Sequence, residues 1–526
     1  MKSYSAVIIC AFLFTNNTFS QTDTALKYAE TITQSGLKRQ LTIIASAEME
    51  GRETGTEGQR KAAAYIESQF KETGLLTLPS LKGYQQSYPL YKDTLIPKIL
   101  KIGKTHYDFG TDYIVTPGSS DNSEFKSGYL IFAGYGIADK NYDDYTGKDV
   151  KDKVVVIFAG EPKTGDKYTI SGTSKPSAWG HDINKKAVLA KQKGALALFL
   201  INASMENFSS TLIENSKTAV YFPREKNANT EKVPVVTITR GIFTNIFGEQ
   251  RTTILIAAAK AGASLEDYKA EEKVKIKLEY QRKKMVSTAS NVVGFIEGNG
   301  KKDEYVFLTA HYDHLGKKGD VIYYGADDDG SGTASVIEMA AAFAKARADG
   351  FIPRRTIVFM TVSGEEKGLW GSEYYSDHPL FPLKNTTVDL NTDMVGRIDP
   401  GRKNGDSSNY IYVIGDDKLS TDLNPITTLV NKTYTKLELD YKFNDPDDPE
   451  RIYFRSDHYN FARKGVPVIF FFDGLHNDYH KPTDTVDKIN FDLMEKRVRY
   501  IFLTAWTIAN RDNMLKRDLA LPEEEE

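Results

Sequence analysis

Four apolar runs in the last half of the chain, each followed by polar residues, most constrain how this sequence folds. The runs are Tyr305–Thr309, Thr356–Val362, Val388–Asn391 and Val466–Phe472. Each has the length and composition of a buried strand, and helical segments separate them. Strands that alternate with helices build a sheet with helices on both faces. The sequence therefore predicts an α/β fold between about residues 285 and 515.

The polar residues that follow these runs are unusual. They are His311-Tyr-Asp-His314, Ser363-Gly-Glu-Glu366, Asp393 and, after a short loop, His476-Asn-Asp-Tyr-His480. Open α/β sheets place their ligand sites outside the carboxyl ends of the strands. If the four strands are neighbours, these side chains meet in one crevice. Packing does not explain such a pattern, so it predicts a functional site.

A loop with three consecutive aspartates, Gly325-Ala-Asp-Asp-Asp-Gly-Ser-Gly332, precedes a helix that we expect to reach about Ala348. Adjacent carboxylates repel one another unless cations neutralise them. A helix N-cap accounts for one aspartate, not for three. Calcium is a possible occupant because it prefers oxygen ligands. The neighbouring histidines favour zinc or another transition metal.

Further motifs suit a metal site with an adjacent base. In the pair His311 and Asp313, the aspartate can accept the second ring N–H of a ligating histidine or bind metal itself. Consecutive residues in an extended segment point to opposite sides, so one of Glu365 and Glu366 can bind metal while the other accepts a proton. Asp393 stands among apolar neighbours, where a carboxylate needs a partner. The remaining candidates are His480, His458 and Tyr453.

The N-terminus has the pattern of a signal peptide. Lys2 precedes the apolar segment Ala6–Phe14, and a polar stretch ends near Ser20. This apolar segment is too short to span a bilayer, so we expect cleavage near Ser20, a secreted or periplasmic protein and no membrane anchor. Cys10, the only cysteine, lies inside this peptide. Any metal in the mature chain must therefore be held by histidine, aspartate or glutamate.

Length and charge bound the organisation and the partners. A chain of 526 residues is too long for one ordinary core, so we expect several domains. Its 68 basic and 71 acidic residues give a net charge of −3, which offers no reason to expect nucleic acid as a partner. Residues 106–284 have short β-type runs and form a predicted separate domain. The segment 21–105 is assigned to the domain at 285–515, and 516–526 to an acidic tail.

Several motifs, in this order, resemble the M28 family of zinc peptidases, which includes bacterial aminopeptidases and relatives of glutamate carboxypeptidase II. They are Glu50–Gly58, Ala310–Gly316, Gly325–Gly332, Ser363–Glu366, Asn391–Met394, Ser456–His458 and His480–Asp484. The resemblance implies a zinc exopeptidase fold with a mixed central sheet. Residues 106–284 resemble an inserted protease-associated domain that is mostly β, through the segments Gly134–Ile137, Asp143–Gly147 and Asp149–Val154. Such a domain either shapes the substrate cleft or is structural only.

The resemblance also implies roles for single residues. Two zinc ions are expected, the first held by His311 and Asp393 and the second by Glu366 and His480, with Asp328 bridging both. Glu365 matches the general base of the family. Asp313 matches the partner of His311, and Tyr453 matches a tyrosine that in some members hydrogen-bonds the tetrahedral intermediate.

The implied activity is hydrolysis of a peptide substrate, with an aminopeptidase as the first expectation. A free α-amine could be received by Asp327 or Asp329, whereas Arg451 or Arg455 could receive a terminal carboxylate in a carboxypeptidase or dipeptidase. A glutaminyl cyclase with one zinc ion is a further alternative. Two others are a binding protein without activity and a calcium-stabilised adhesion or carbohydrate-binding protein. The sequence leaves the oligomeric state open.

Overall fold

A computed structural model describes residues 24–522, apart from residues 121, 141, 223–230 and 269. The predicted signal peptide, residues 1–20, and the last glutamates of the predicted tail lie outside the described residues. The chain divides into two compact units. The discontinuous unit joins the chain up to Pro89 with the chain from Thr288 onward, and the inserted unit is Leu90–Ser287.

The sheet of the discontinuous unit brings the four predicted strands together. Its order is Glu438–Asp440, Tyr410–Ile414, Val468–Phe472, Thr386–Thr392, Lys301–His311, Arg355–Val362 and the last residues of Ala270–Ile296. The four that contain the apolar runs are parallel neighbours, whereas the strands flanking them on either side pair antiparallel. The predicted mixed sheet is confirmed, and the carboxyl ends of the four strands lie along one edge.

Helices cover both faces of this sheet. Alternate residues of each strand point to opposite faces, so each strand contributes to two hydrophobic cores. Leu308 and Phe359 belong to one hydrophobic core, and Phe307 and Val358 belong to another. The first core includes residues of the helices Gln34–Ile44, Glu57–Glu72, Gly332–Ala348, Leu423–Val430 and Phe491–Ala509. The second includes residues of Trp370–Asp377 and His458–Ala462. Strands buried on both faces explain why the four runs are continuously apolar.

Polar side chains fix where three of these helices begin. Thr33 Oγ1 accepts a hydrogen bond from the backbone N–H of Gly36 at 3.1 Å, at the start of Gln34–Ile44. Thr56 caps Glu57–Glu72, and Asn490 caps Phe491–Ala509 in the same way. Shorter helical turns are Ala47–Arg52, Ala326–Ser331, Glu365–Lys367, Leu383–Asn385, Asn431–Thr435, Lys442–Asn444, Ile452–Phe454 and Val486–Lys488. A small hairpin pairs Lys317–Lys318 with Val321–Ile322.

The inserted unit has its own hydrophobic core, and its strands pair in succession from the long strand Ala270–Ile296. The first part of Ala270–Ile296 pairs with Asn122–Phe132, and Val154–Phe158, Ala197–Ile201, Val235–Ile238 and Tyr113–Thr116 follow in order. Gln85–Ile102 pairs with Thr105–Tyr107 and Thr218–Tyr221, and two small hairpins join Ala138–Asp139 to Tyr142–Asp143 and Lys163–Thr164 to Lys167–Tyr168. The helices are Ala178–His181, Ile183–Gln192, Ser210–Lys217, Arg240–Phe247 and Glu249–Lys260.

The chain leaves and re-enters the discontinuous unit on segments that run side by side. The backbone N–H of Val293 donates to the carbonyl of Tyr84 at 2.8 Å. Ser290 Oγ donates to Gln85 Oε1 at 2.9 Å. Among the helices of the described residues, none combines the length and the apolar character needed to cross a membrane.

Candidate active site

One group of predicted ligands gathers around His311, at the edge where the parallel strands end. His311 is the last residue of Lys301–His311, and Asp393 directly follows Thr386–Thr392. Nε2 of His311 lies 3.3 Å from Oδ1 of Asp328 and 3.5 Å from Oδ1 of Asp393. The three side chains are buried. They therefore present one nitrogen and two carboxylates to a common point.

A second group gathers around His480, in the loop that follows Val468–Phe472. Nε2 of His480 is 3.1 Å from Oδ2 of Asp328 and 3.1 Å from Oε2 of Glu366. Burial lowers the pKa of the His480 imidazole, but Asp328 and Glu366 more than offset this and raise it to about 10. Asp328 thus turns one carboxylate oxygen toward each group, and the five predicted ligands lie together.

The two neighbours of Asp328 are engaged elsewhere. Asp329, joined to Asp328 by a cis peptide bond, accepts backbone N–H groups from His311, Gly332 and Met394 at 3.1, 2.7 and 3.1 Å. Asp327 accepts the N–H of Gly396 at 2.7 Å, and its other oxygen lies 3.2 Å from Nε2 of His476. Both carboxylates are fully buried. Asp327 and Asp329 therefore organise the loop and are not placed to receive a substrate amine.

Glu365 stands beside the first group. Its Oε2 lies 3.9 Å from Nε2 of His311, and its backbone N–H donates to Oδ1 of Asp313 at 3.2 Å. Burial raises the pKa of the Glu365 carboxyl well above its ordinary value, and the charges of Glu366 and Asp393 act in the same direction. The position of this carboxylate, beside the first group and next to the cavity, suits a general base.

Asp313 connects Glu365, His311 and the N-terminal part of the chain. Its Oδ2 accepts a hydrogen bond from Thr54 Oγ1 at 2.7 Å. Nδ1 of His311 is 3.1 Å from the carbonyl oxygen of Asp313 and 3.7 Å from its carboxylate. The backbone of Asp313 is thus nearer to the ring of His311 than its side chain is. The carboxylate holds the Glu365 backbone instead.

A chain of hydrogen bonds fixes the carboxylate of Asp393. Ser456 Oγ donates to Oδ2 of Asp393 at 2.7 Å and accepts from Nδ2 of Asn391 at 2.8 Å. Thr309 Oγ1 then donates to Oδ1 of Asn391 at 3.0 Å. The serine of the Ser456–His458 motif therefore touches a predicted ligand. His458 instead contacts the carbonyl of Tyr453 through Nε2 at 2.8 Å.

A cavity opens beside the two groups. Its polar lining is His311, Asp328, Glu365, Asp393, Arg455 and Tyr479, and its apolar lining is Met394, Ile452, Phe470, Phe472 and Leu475. Tyr453 is not part of this lining: its ring packs against Phe454, His458 and Tyr459, and its buried hydroxyl has no hydrogen-bond partner among the described residues.

The phenol that faces the cavity belongs to Tyr479. Its ring stacks on His480 with centroids 3.9 Å apart, and its hydroxyl accepts from Nη2 of Arg455 at 3.3 Å. Burial raises the pKa of the Tyr479 hydroxyl, and the charges of Asp328 and Glu365 raise it further, so it stays a donor at neutral pH. Tyr479 precedes a predicted ligand directly, and this adjacency is the signal that sequence reasoning missed.

Arg52 also escaped the sequence analysis, although it lies in the Glu50–Gly58 motif. Its guanidinium is fully buried and donates to the carbonyl oxygens of Tyr312, Ile44, Tyr324 and Gly325 at 2.7, 2.8, 2.8 and 2.9 Å. Burial lowers its pKa to about 10, although nearby aspartates oppose this, so it stays charged at neutral pH. It therefore ties the N-terminal segment to two of the loops that carry predicted ligands, those beside His311 and Asp328.

A metal fits this donor set. Oδ2 of Asp328, Oε1 of Glu366 and both ring nitrogens of His314 are buried and lack hydrogen-bond partners among the described residues. Ligand atoms of Asp328, Glu366 and His314 lie within 4.8 Å of one another. Buried carboxylates without partners are costly unless a cation neutralises them. Mixed imidazole and carboxylate donors suit zinc and similar transition metals.

The family of this domain follows from its sequence. Residues 291–505, which carry all five predicted ligands and Glu365, match the family model described as Peptidase family M28. The chain carries an M28 peptidase domain. The resemblance seen in the motifs is thereby confirmed for residues 291–505.

Individual relatives are similar in sequence to parts of this chain. A "Probable zinc metalloprotease" of Pyrenophora tritici-repentis is 27% identical over 272 residues, which are 43% of this chain and 53% of the relative. A "Probable leucine aminopeptidase" of Arthroderma otae is 28% identical over 216 residues, 40% of this chain and 56% of the relative. The chain spans only 21% to 56% of the length of the curated relatives it matches.

A solved structure matches most of the chain. The aminopeptidase from Aneurinibacillus sp. strain AM-1 covers 95% of this chain and 98% of its own, with a TM-score of 0.55 and 20% identity. At this identity the likeness concerns the fold. It supports the α/β architecture of the M28 domain together with its inserted unit.

Proposed function

We propose that this protein is a dinuclear zinc exopeptidase, and specifically an aminopeptidase. The observation that carries the proposal is Asp328, whose two carboxylate oxygens face two separate groups of donors, with Glu365 beside them. The first group, His311 and Asp393, would hold one zinc ion. The second, Glu366 and His480, would hold the other. Bound zinc supplies Lewis acidity, which makes water acidic near neutral pH and polarises the peptide carbonyl.

The protein's own groups supply proton transfer and positioning. Glu365 accepts the proton of the attacking water and returns it to the leaving amine. Asp313 keeps Glu365 in place by accepting its backbone N–H at 3.2 Å. The hydroxyl of Tyr479 donates a hydrogen bond to the peptide oxygen as negative charge develops there. We assign this last role to Tyr479 rather than Tyr453, because Tyr479 lines the cavity.

A substrate with a free N-terminus is our first choice. In the described part of the chain the acidic side chains of the cavity lining are Asp328, Glu365 and Asp393, and its basic one, besides His311, is Arg455. Asp328 and Asp393 would be neutralised by the zinc ions that they hold, so the charge of the lining does not by itself select a free amine. Relatives named as leucine aminopeptidases support this choice of substrate. Arg455 is the observation that favours the second candidate, a carboxypeptidase.

A panel of matched peptides, N-terminally free or acetylated and with free or amidated C-termini, tests the specificity. We expect stepwise removal of N-terminal residues from the free peptides, read by mass spectrometry, and no cleavage of the acetylated ones. Chelation should abolish the activity and zinc should restore it. Residues released from the C-terminus of acetylated peptides would identify a carboxypeptidase instead.

The two tyrosines should respond differently to loss of the hydroxyl. We expect Tyr479→Phe to lower kcat by about 10²-fold, because the donor to the developing oxyanion is lost. Tyr453→Phe should leave kcat within about threefold, because its hydroxyl is outside the cavity lining. Steady-state kinetics on one N-terminally free peptide measures both. Equal loss in the two variants would contradict the assignment.

Ser456 is expected to support metal binding through Asp393. Ser456→Ala removes the 2.7 Å hydrogen bond to Asp393 Oδ2, and we expect a loss of about 10- to 100-fold in affinity for one of two zinc ions. Competition with a calibrated zinc chelator measures this. Thr504→Val, which removes another buried hydroxyl of the same unit, is the control and should not change the affinity. An unchanged affinity in Ser456→Ala would exclude the supporting role.

Two further features are proposed on the sequence alone. The pattern of residues 1–20 supports export of the protein to the periplasm or the exterior. The resemblance of residues 106–284 to a protease-associated domain supports an accessory role for the inserted unit.

A further inference from the structure

His314 is a fully buried histidine beside the second group of donors, and the mechanism above gives it no role. It follows the strand Lys301–His311 by three residues. Its ring packs against Gly325, where an added Cβ would lie 2.5 Å from Cγ of His314. Gly325 has φ +53°, a left-handed conformation that side chains disfavour. The glycine at the start of the aspartate loop therefore makes room for this imidazole.

The ring of His314 points at the carboxylates of the second group. Nδ1 lies 2.8 Å from Oε1 of Glu366 and 3.7 Å from Oδ2 of Asp328. The pair with Glu366 is close but lacks the alignment of a hydrogen bond, and neither ring nitrogen has another partner in the described chain. Oε1 of Glu366 and Oδ2 of Asp328 lack hydrogen-bond partners there as well. Nδ1 of His314 and these two carboxylate oxygens therefore lie near one another without forming hydrogen bonds.

Donor atoms in such an arrangement are expected to share a bound cation. Two ligands of one zinc ion, each about 2.0–2.2 Å from it, lie roughly 3–3.5 Å apart. The distances from His480 Nε2 to Asp328 and Glu366, both 3.1 Å, and the 2.8 Å from His314 to Glu366 are close to this spacing. A buried ring nitrogen and buried carboxylate oxygens without hydrogen bonds are costly. One cation among Nδ1 of His314, Oε1 of Glu366 and Oδ2 of Asp328 would give each of these three atoms a partner.

We propose that His314 is an additional ligand, through Nδ1, of the zinc ion in the second group. This inference rests on the proposed dinuclear function, which assigned only Asp328, Glu366 and His480 to that ion. With His314 the second group has two nitrogens and two carboxylates, a complete tetrahedral set. The first group keeps three protein ligands, His311, Asp328 and Asp393.

The two metal positions therefore differ in their number of protein ligands. A site with four protein ligands has the character of a structural zinc site, whereas three ligands leave a place for water or substrate. The second ion should bind first during loading and leave last during chelation. The first ion should be the exchangeable one, on which activity depends most directly.

The parent protein tests this without any substitution. Metal-free protein is loaded with one equivalent of zinc, and the histidine nitrogens around the ion are counted by X-ray absorption fine structure. We expect two imidazoles per zinc, from His314 and His480. A count of one is followed by loading with a second equivalent, and a mean of one imidazole per zinc at that stage overturns the proposal, because His311, His314 and His480 on two ions would give a mean of about 1.5.

A cysteine at position 314 gives an independent spectroscopic test. In the cobalt(II) form, His314→Cys should show a thiolate-to-cobalt charge-transfer band in the near ultraviolet. The parent chain, with Cys10 as its only cysteine, supplies the baseline. His458→Cys is the matched control: this histidine is also fully buried in the same unit, but it contacts the carbonyl of Tyr453. A folded His314→Cys protein without the band contradicts the proposal.

Metal affinity completes the test and separates it from the peptidase proposal. His314→Gln should bind one zinc ion at least about 100-fold more weakly than the parent and keep its far-ultraviolet circular dichroism. Parent-like affinity for both ions overturns the inference even if peptides are hydrolysed normally. Two imidazoles per zinc and a weakened His314→Gln, without hydrolysis of any peptide, would uphold the ligand and reject the function.

Discussion

Glu365→Gln is expected to lower kcat for an N-terminally free peptide by about 10³-fold while both zinc ions remain bound. Glutamine has the shape of the glutamate but cannot accept the proton of the attacking water. The backbone N–H of residue 365 can still donate to Asp313, so the loop should keep its geometry. The carboxylate oxygen that would accept the proton is what the substitution removes.

Glu366→Gln is the matched comparison, because it makes the same replacement of a carboxylate by an amide at the adjacent residue. Its Oε2 lies 3.1 Å from Nε2 of His480, so we expect loss of metal as well as loss of activity. Zinc content by mass spectrometry, measured with kcat on the same samples, separates the two outcomes. A Glu365→Gln enzyme with kcat near that of the parent would remove Glu365 from the mechanism.

Arg52→Leu should destabilise the protein by about 3–5 kcal/mol, the largest stability effect we expect from a single substitution. Four backbone carbonyls would lose their donor, at distances that are now 2.7–2.9 Å. The cationic partner of the buried aspartates Asp313, Asp328 and Asp329 would also be removed. Lysine keeps the charge but not the planar fork, so Arg52→Lys should lie between leucine and the parent.

Urea unfolding followed by circular dichroism measures this effect on metal-free protein, which keeps metal loss out of the comparison. The control is Arg60→Leu, in the neighbouring helix Glu57–Glu72. Arg60 pairs with Glu57 at 2.9 Å, but half of its side chain is exposed, so its loss should change the stability by less than about 1 kcal/mol. Equal destabilisation by the two substitutions would show that the buried carbonyl contacts contribute little.

The strands and the five predicted ligands were accessible from the sequence because their signals are local. A strand buried on both faces must be apolar along its whole length, as Arg355–Val362 is. Polar residues that follow such a strand, such as His311 and Asp393, stand out against it. The rule that strand ends line the ligand site then brings distant positions together. The family resemblance was needed to choose Asp328 from three identical neighbours.

What the sequence could not supply are contacts between distant segments. Arg52 donates to the carbonyl of Tyr312, 260 positions away, and backbone acceptors leave no pattern in a sequence. Tyr479 and Tyr453 both stand near family motifs, and only the fold decides which phenol reaches the cavity. His314 lies inside a recognised motif, yet its ligand geometry depends on Gly325 and on the position of Glu366.

The neighbouring exit and re-entry segments of the discontinuous unit make the inserted unit removable in principle. Tyr84 and Val293 are hydrogen-bonded across these segments, so a short bridge between Pro89 and Thr288 would have little distance to cover. Every residue that we assign to metal or proton transfer lies outside the excised stretch. When the two ends of an insertion lie close together in the host domain, the host can fold around the inserted domain without interruption. The discontinuous unit therefore contains all of its proposed chemistry without the inserted unit.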